Sequence, residues 1–295
     1  MHVVVGGASG FLGQALVEHL REQGHVVTRL VRGGHVGDDA SLWDPSAGRV
    51  DQVLIDRADA VVNLSGAPIS QWPRTAKRRR EILTSRLECT GTLAKAISYS
   101  STPTVFLSGS GMSWYGVDRG ADTLTEDAGP GEGFLADVSQ QWEAAAQPAI
   151  ESGARTCFLR TSLVLDSSGG VLALMLPAWK LGGGARLGSG EQYMSLITRD
   201  DWVRAVTHLL DVDVSGPVNL AMPAAVTNAE FTDALGEAVN RPTFLVAPRF
   251  AVRGVLGGLA DDLLGSLRIV PAALGESGFA FESADLTSTL ATATH

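Results

Sequence analysis

The chain has 295 residues, 45% of them hydrophobic and 19% charged, which suits a folded globular protein and is too apolar for a disordered one. Its formal net charge of −9 excludes the dense basic field that general nucleic-acid or anionic-membrane binding requires, so any anionic ligand must be held by local groups. Cys89 and Cys157 stand in no metal-ligand spacing, which supports neither a disulfide framework nor a metal site.

In chain order, the first third alternates short apolar runs with amphipathic helices, the pattern of a parallel sheet built from βαβ units. Residues 3–5 read as the first strand, 11–23 as a helix stopped by Gly24, and 26–31 as the second strand. A strand follows at 59–64, and its crossover helix spans 74–98. The basic run Lys77-Arg78-Arg79-Arg80 lies in that helix and reads as a solvated face. A strand at 104–108 breaks at Gly109, a helix covers 134–152, and 156–165 forms a strand apolar enough to be buried on both faces.

Beyond Gly169 the pattern becomes irregular, with Gly182-Gly183-Gly184, Gly188 and Gly190, then helices at 200–210 and 228–240. Asp200-Asp201 reads as the cap of the first of these, and His208 as a satisfied boundary residue. The expected fold is α/β: a Rossmann-like doubly wound parallel sheet over residues 1–168, and a smaller C-terminal substrate-side region over 169–295. No charged leader precedes the first strand and no run approaches ~18–20 apolar residues, from which a cytoplasmic location is expected.

Gly7-Ala8-Ser9-Gly10-Phe11-Leu12-Gly13 sits between strand and helix, the context of a dinucleotide-binding loop. Gly7 permits the tight turn, Gly10 lets backbone approach a pyrophosphate, and Gly13 allows close helix packing, with the helix N-terminus favouring negative charge. At the end of the second strand, Val31-Arg32-Gly33 carries no acid of the kind that accepts from the ribose of NAD(H). Arg32 stands where a guanidinium grips a 2′-phosphate, so NADP(H) is the expected cofactor; the competing reading is a plain surface arginine.

These motifs, with Asp59-Ala60-Val61-Val62-Asn63-Leu64-Ser65-Gly66, Ser85-Arg86, Trp142-Glu143, Gly190-Glu191-Gln192 and Gly278-Phe279, resemble the atypical short-chain dehydrogenase/reductases called the epimerase family, or nucleoside-diphosphate-sugar epimerase-like proteins. The likeness runs nearly the whole length, and from about Arg241 it extends to the small domain of unknown function that ends such proteins. It implies that Asn63, Leu64 and Ser65 pass over the adenine and ribose side. It also implies that Glu81 and Arg86 form a cofactor-facing pair and that Leu163 lines the nicotinamide side. For Arg86 an exposed helix ion pair is the alternative.

Short-chain dehydrogenases use a Tyr as acid/base and a Lys four residues on that supports it. Tyr99, Tyr115 and Tyr193 are not followed in that way by Lys77, Lys95 or Lys180, and Leu135 and Ser139 occupy the expected positions. Ser110, at a strand end, remains as a substrate-polarising hydroxyl. Tyr115 is either a second polarising phenol or a ring packed beneath its loop. Two functions are therefore expected to compete: an NADP(H)-dependent oxidoreductase or epimerase acting on a small carbonyl or alcohol, and an NADP(H)-binding sensor with little chemistry. No nucleic-acid, membrane or metal partner is expected, and neither substrate nor oligomeric state is specified.

Overall fold

A computed structural model describes residues 1–34, 36–69, 73, 75–102, 104–256, 259–283 and 285–294. The N-terminal part runs β1 (His2–Gly6), α1 (Phe11–Glu22), β2 (Val26–Val31), β3 (Ala40–Leu42), α2 (Gln52–Asp56), β4 (Ala60–Asn63) and α3 (Ala76–Tyr99). It continues through β5 (Val105–Gly111), β6 (Thr123–Leu124), α4 (Phe134–Ala144), α5 (Gln147–Glu151), β7 (Thr156–Thr161) and β8 (Leu163–Asp166). Then follow α6 (Gly170–Lys180), β9 (Ala185–Leu187), β10 (Tyr193–Met194), β11 (Leu196–Thr198), α7 (Arg199–Asp211), β12 (Gly216–Leu220), β13 (Val226–Thr227) and α8 (Asn228–Ala238). The C-terminal part holds β14 (Leu245–Ala247), α9 (Arg249–Leu256), α10 (Leu259–Leu264), β15 (Arg268–Ile269), α11 (Ala272–Glu276) and α12 (Leu286–Ala293).

A seven-stranded sheet in the order β12-β7-β5-β4-β1-β2-β3 forms the centre, with all its pairings parallel. Parallel neighbours need crossovers, and the crossover helices cover both faces. On one face Val3, Val5, Val62, Leu107 and Leu159 pack with Leu16 and Leu20 of α1 and with Trp202, Val206 and Leu209 of α7. On the other, Val4, Val61, Phe106 and Phe158 pack with Leu93 and Ile97 of α3 and with Ala149 of α5. The fold is thus the Rossmann-like doubly wound sheet that the alternating pattern implies. Its last strand, β12, comes from beyond residue 168, so the expected boundary there does not separate the sheet from the rest.

Several expected elements differ in extent. β5 does not break at Gly109 but continues to Gly111, because the missing Cβ leaves room for Trp142: a Cβ there would lie 2.8 Å from Trp142 Cζ2. The helix expected over 134–152 is two helices, with Pro148 in the first turn of the second. The strand expected over 156–165 divides at Ser162, whose backbone N–H donates to Leu220 O at 3.1 Å. Beyond it, β8 leaves the central sheet and pairs with β11. α7 is capped by Thr198, not by the two acids after it. Asp201 is buried and accepts from the backbone N–H groups of Glu282 and Ser283 at 2.9 Å each, pinning the C-terminal segment to α7. The crossover helix begins at Ala76; Arg74, where it was expected to start, lies outside the described residues.

Candidate functional site

In an open parallel sheet, ligands gather beyond the carboxyl ends of the strands where the strand order reverses. Here the reversal lies between β1 and β4, and the glycine loop fills it. Gly7 has φ +78°, and a Cβ on it would lie 2.6 Å from the Leu64 carbonyl carbon. At Gly13 a Cβ would lie 2.2 Å from Gly7 O, so α1 seats itself directly on the loop. Gly10 is the N-cap of α1, with no side-chain cap and no acid in the first turn. In contrast, α3, α7 and α8 are capped by Thr75, Thr198 and Thr227. The first N–H groups of α1 are thereby left facing the loop without a side-chain acceptor, which suits an anion. Phe11 and Leu12 continue this turn; the Phe11 ring lies beneath the Arg199 guanidinium at 5.7 Å.

At the end of β2, Val31 is half-buried and Arg32 is exposed, with no ion pair among the described residues. The nearest acid in sequence on that edge with a fixed role, Asp39, is held by Arg29 at 2.7 Å and Arg21 at 2.5 Å. Those arginines hold its carboxyl down at about 2, and both of its oxygens already accept from them. Arg86 on α3 is buried, donates to Ala67 O and Ile82 O at 3.0 Å each, and lies 4.7 Å over the Trp142 ring. It has no carboxylate partner among the described residues, and burial pushes its pKa down to about 10. The ion-pair alternative therefore does not describe Arg86. It does describe Glu81, which is exposed and paired with Arg78 at 2.8 Å.

Asn63 is fully buried and holds the loop after β4: its Nδ2 donates to Thr90 Oγ1 at 2.9 Å and its Oδ1 accepts from Ser65 N at 3.1 Å. Trp142 Nε1 donates to the same Thr90 oxygen at 2.8 Å. Leu64 N donates to Gly6 O, which brings its backbone against Gly7. Ser65 Oγ, beside the buried Cys89 thiol, is buried without a partner of hydrogen-bond geometry among the described residues, and so is Ser162 Oγ at the end of β7. Buried polar atoms are normally bonded, so two orphaned hydroxyls at the carboxyl ends of β4 and β7 mark where a ligand's polar groups fit. Together with the Gly7–Gly13 cradle, the uncapped helix and the two cations without acidic partners, they fit a dinucleotide bearing an extra phosphate.

The expected polarising groups are placed differently from their sequence reading. Ser110 is buried and donates to Glu143 Oε1 at 2.7 Å. Glu143 accepts twice from Arg160, at 3.0 Å from Nε and 3.0 Å from Nη2, and both side chains are buried. Arg160 Nη1 donates to the Tyr115 oxygen at 3.0 Å, and the Tyr115 hydroxyl lies 2.7 Å from Asn219 Oδ1 and 3.1 Å from Thr125 O. The Tyr115 ring is fully buried, and burial raises its pKa against the opposing pull of Arg160. Tyr115 is thus packed beneath its loop rather than presented to a substrate, and the Ser110 hydroxyl is engaged. The reason is the Glu143–Arg160 pair, which the sequence reading did not single out. An arginine inside the apolar run 156–165 was its only sequence signal, since a charge in a strand buried on both faces must find a partner. Leu135 is half-buried and Ser139 buried on α4, and neither supplies an ionisable group.

A void of about 10 Å³, room for about one water, lies beside the residues that follow β5 and β7 and is lined by Met112, Leu163, Tyr193, Met194, Leu263 and Leu267 among others. Leu163 is half-buried at its wall.

The sequence profile of the NAD dependent epimerase/dehydratase family matches residues 3–221, and that of DUF1731, a domain of unknown function, matches residues 247–293. The chain belongs to the NAD-dependent epimerase/dehydratase family. Within that family it is 42% identical over 283 residues to an epimerase family protein of Mycobacterium tuberculosis, covering 95% of this chain and 93% of that one. It is 33% identical to the human epimerase family protein SDR39U1, covering 98% of each. The crystal structure of the human protein with NADPH superposes with a TM-score of 0.89 at 32% identity, over 100% of this chain and 99% of that one. A nucleoside-diphosphate sugar epimerase from Corynebacterium glutamicum superposes with a TM-score of 0.82 at 31% identity, over 100% of this chain and 58% of that one. Among the described residues no helix is long and apolar enough to cross a membrane, and no group of His, Cys, Asp and Glu is placed to hold a metal.

Proposed function

We propose that this family member binds NADP(H) and acts as an oxidoreductase on a small carbonyl or alcohol. The observation that carries the reading is the uncapped N-terminus of α1 over the Gly7–Gly13 cradle, with Arg32 exposed at the end of β2 and without an ion pair among the described residues. The human relative crystallised with NADPH supports the same cofactor. When bound, the nicotinamide supplies or accepts a hydride. The chain's own groups do the holding: the first turn of α1 receives the pyrophosphate, Arg32 the 2′-phosphate, and Ser65 and Arg86 border the loop beside them.

Calorimetric titration tests this directly. NADPH binds more tightly than NADH, and Arg32→Ala weakens NADPH by roughly ten- to hundred-fold, the loss of a charge-assisted contact worth about 1.5–3 kcal/mol. Equal affinity for the two cofactors, or an Arg32→Ala variant with parent affinity, sinks the assignment.

A second reading, an NADP(H)-binding sensor with little turnover, is favoured by the fully bonded Ser110–Glu143–Arg160–Tyr115 network. Binding of NADPH without oxidation by aldehydes, ketones or quinones supports it; steady turnover on any of them removes it.

A further inference from the structure

We infer that this chain forms a two-fold dimer through β14, whose free edge pairs antiparallel with β14 of a second copy. β14 and β9 are a parallel pair of three-residue strands, with no third strand on either side among the described residues. Parallel strands are normally buried on both faces, and an isolated pair this short is marginal in water, so a further strand stabilises it. The direction of the free edge follows from one bond. Ala247 O accepts from Gly188 N at 2.9 Å, so Ala247 and, two residues back, Leu245 turn their backbone groups toward β9. By alternation the N–H and C=O of Val246, and of Phe244 just before the strand, point away from β9. Antiparallel pairing about Leu245 therefore sets Phe244 opposite Val246 of the second copy, and Val246 opposite its Phe244. Each of these pairs exchanges both backbone hydrogen bonds, and each sets an aromatic ring beside a β-branched side chain on one face, a favourable cross-strand pair.

The side chains around this edge suit the same partner. Among the described residues the most exposed large apolar side chains are Leu181 at 88%, Phe250 at 79% and Phe244 at 77%. Phe244 and Phe250 flank β14, and Leu181 follows Lys180, whose carbonyl accepts from Arg241 Nε at 2.8 Å at the start of the same segment. With the exposed Leu245 and Val246, the two phenylalanines leave on the order of 500 Å² of apolar surface in water, a patch large enough to mark an interface. A polar rim brings each copy toward the ~800 Å² that one partner of a standard interface buries. That rim is complementary in charge. An open groove of about 540 Å³ beside the start of β14 is lined by Asp233, Glu237, Arg241 and Thr243 among others. In the register above, Ala247 of the second copy faces Thr243, so its Arg249 arrives at this groove. Asp233 already accepts from Thr243 Oγ1 at 2.9 Å. Glu237 and Arg249 are both exposed, and neither forms an ion pair among the described residues, so the two-fold axis brings this pair together twice. A lipid surface fits less well, because it offers the outward N–H and C=O of Val246 no partner.

Sedimentation equilibrium of the full chain from about 1 to 100 µM reads the association, and the parent gains mass toward twice the monomer. Val246→Pro stays monomeric over that range. Its ring removes the outward N–H, which β9 does not use, so melting stays within about 2 °C of the parent. Glu237→Arg weakens dimerisation roughly tenfold, and the swap Glu237→Arg/Arg249→Glu restores it, a rescue that a purely apolar contact would not give. Leu245→Cys reads the register. Across the axis the two substituted positions form a non-hydrogen-bonded pair with Cα atoms about 4.5 Å apart, within disulfide reach, so mild oxidation yields a covalent dimer. The native Cys89 and Cys157 are buried and do not compete. Tyr99→Cys, at an exposed position on α3, is the control and crosslinks far more slowly. A parent that is monomeric at the highest concentration, or an assembly that Val246→Pro leaves unchanged, overturns the dimer through β14. Crosslinking of Leu245→Cys no faster than that of Tyr99→Cys overturns the pairing. Parent monomers that float with phosphatidylglycerol vesicles show that the face takes lipid instead, and overturn it equally.

Discussion

Replacing Glu143 with Gln is the sharpest test of how the centre of this fold is held. The carboxylate accepts three hydrogen bonds, from Ser110 at 2.7 Å and from two Arg160 nitrogens at 3.0 Å each, and the two charged side chains are only 8% and 3% exposed. The amide keeps the shape but turns one acceptor oxygen into a donor facing donors, and it leaves the Arg160 charge buried without a counterion. Removing one partner of a buried pair costs about 3–5 kcal/mol. With an unfolding entropy near ~2.1 cal/mol/K per residue, that lowers Tm by roughly 5–8 °C in a chain of this length. Calorimetry and urea titration at neutral pH measure it. The double variant Glu143→Gln/Arg160→Met, which also removes the stranded charge, recovers part of the loss. If Glu143→Gln melts within about 2 °C of the parent, water or relaxation is serving Arg160, and the account of the network as a sealed buried pair is refuted.

Three further outcomes follow from the geometry. Gly10→Val folds, because a Cβ there meets only Gly7 O at 3.3 Å, yet it fills the space before the first turn of α1 and abolishes NADPH binding. Gly13→Ala, by contrast, loses stability, since its Cβ would lie 2.2 Å from Gly7 O; normal melting of Gly13→Ala contradicts the seating of α1 on the loop. The Asp39 carboxyl, held by Arg29 and Arg21, titrates at about 2 in the folded chain against an ordinary 3.8. Its contribution is therefore fully present above the unfolded value and is lost as pH falls from there through the folded one. Asp39→Asn flattens the acid limb of stability in that window; an unchanged limb shows that the pair is solvent-screened to nothing.

Much of this protein is legible without coordinates. The alternation of apolar runs and amphipathic helices, and the glycines at 7, 10 and 13, determine a doubly wound sheet with a dinucleotide loop, because both depend on period and on steric rules that act within a few residues. The missing acid after β2 and the missing Tyr–Lys pair on α4 are equally local facts. Only the tertiary structure decides the fates of side chains whose partners are distant in sequence. Tyr115 meets Asn219 across 104 positions and Arg160 across 45, so its burial was invisible in the loop that carries it. Strand endings follow the same rule: nothing in the apolar run 156–165 marks Ser162 as the point where the chain leaves the central sheet, because that is set by the pairing of β7 with β12 and β8 with β11. Local sequence specifies backbone conformation; which hydroxyl is left free depends on every other group that competes for it.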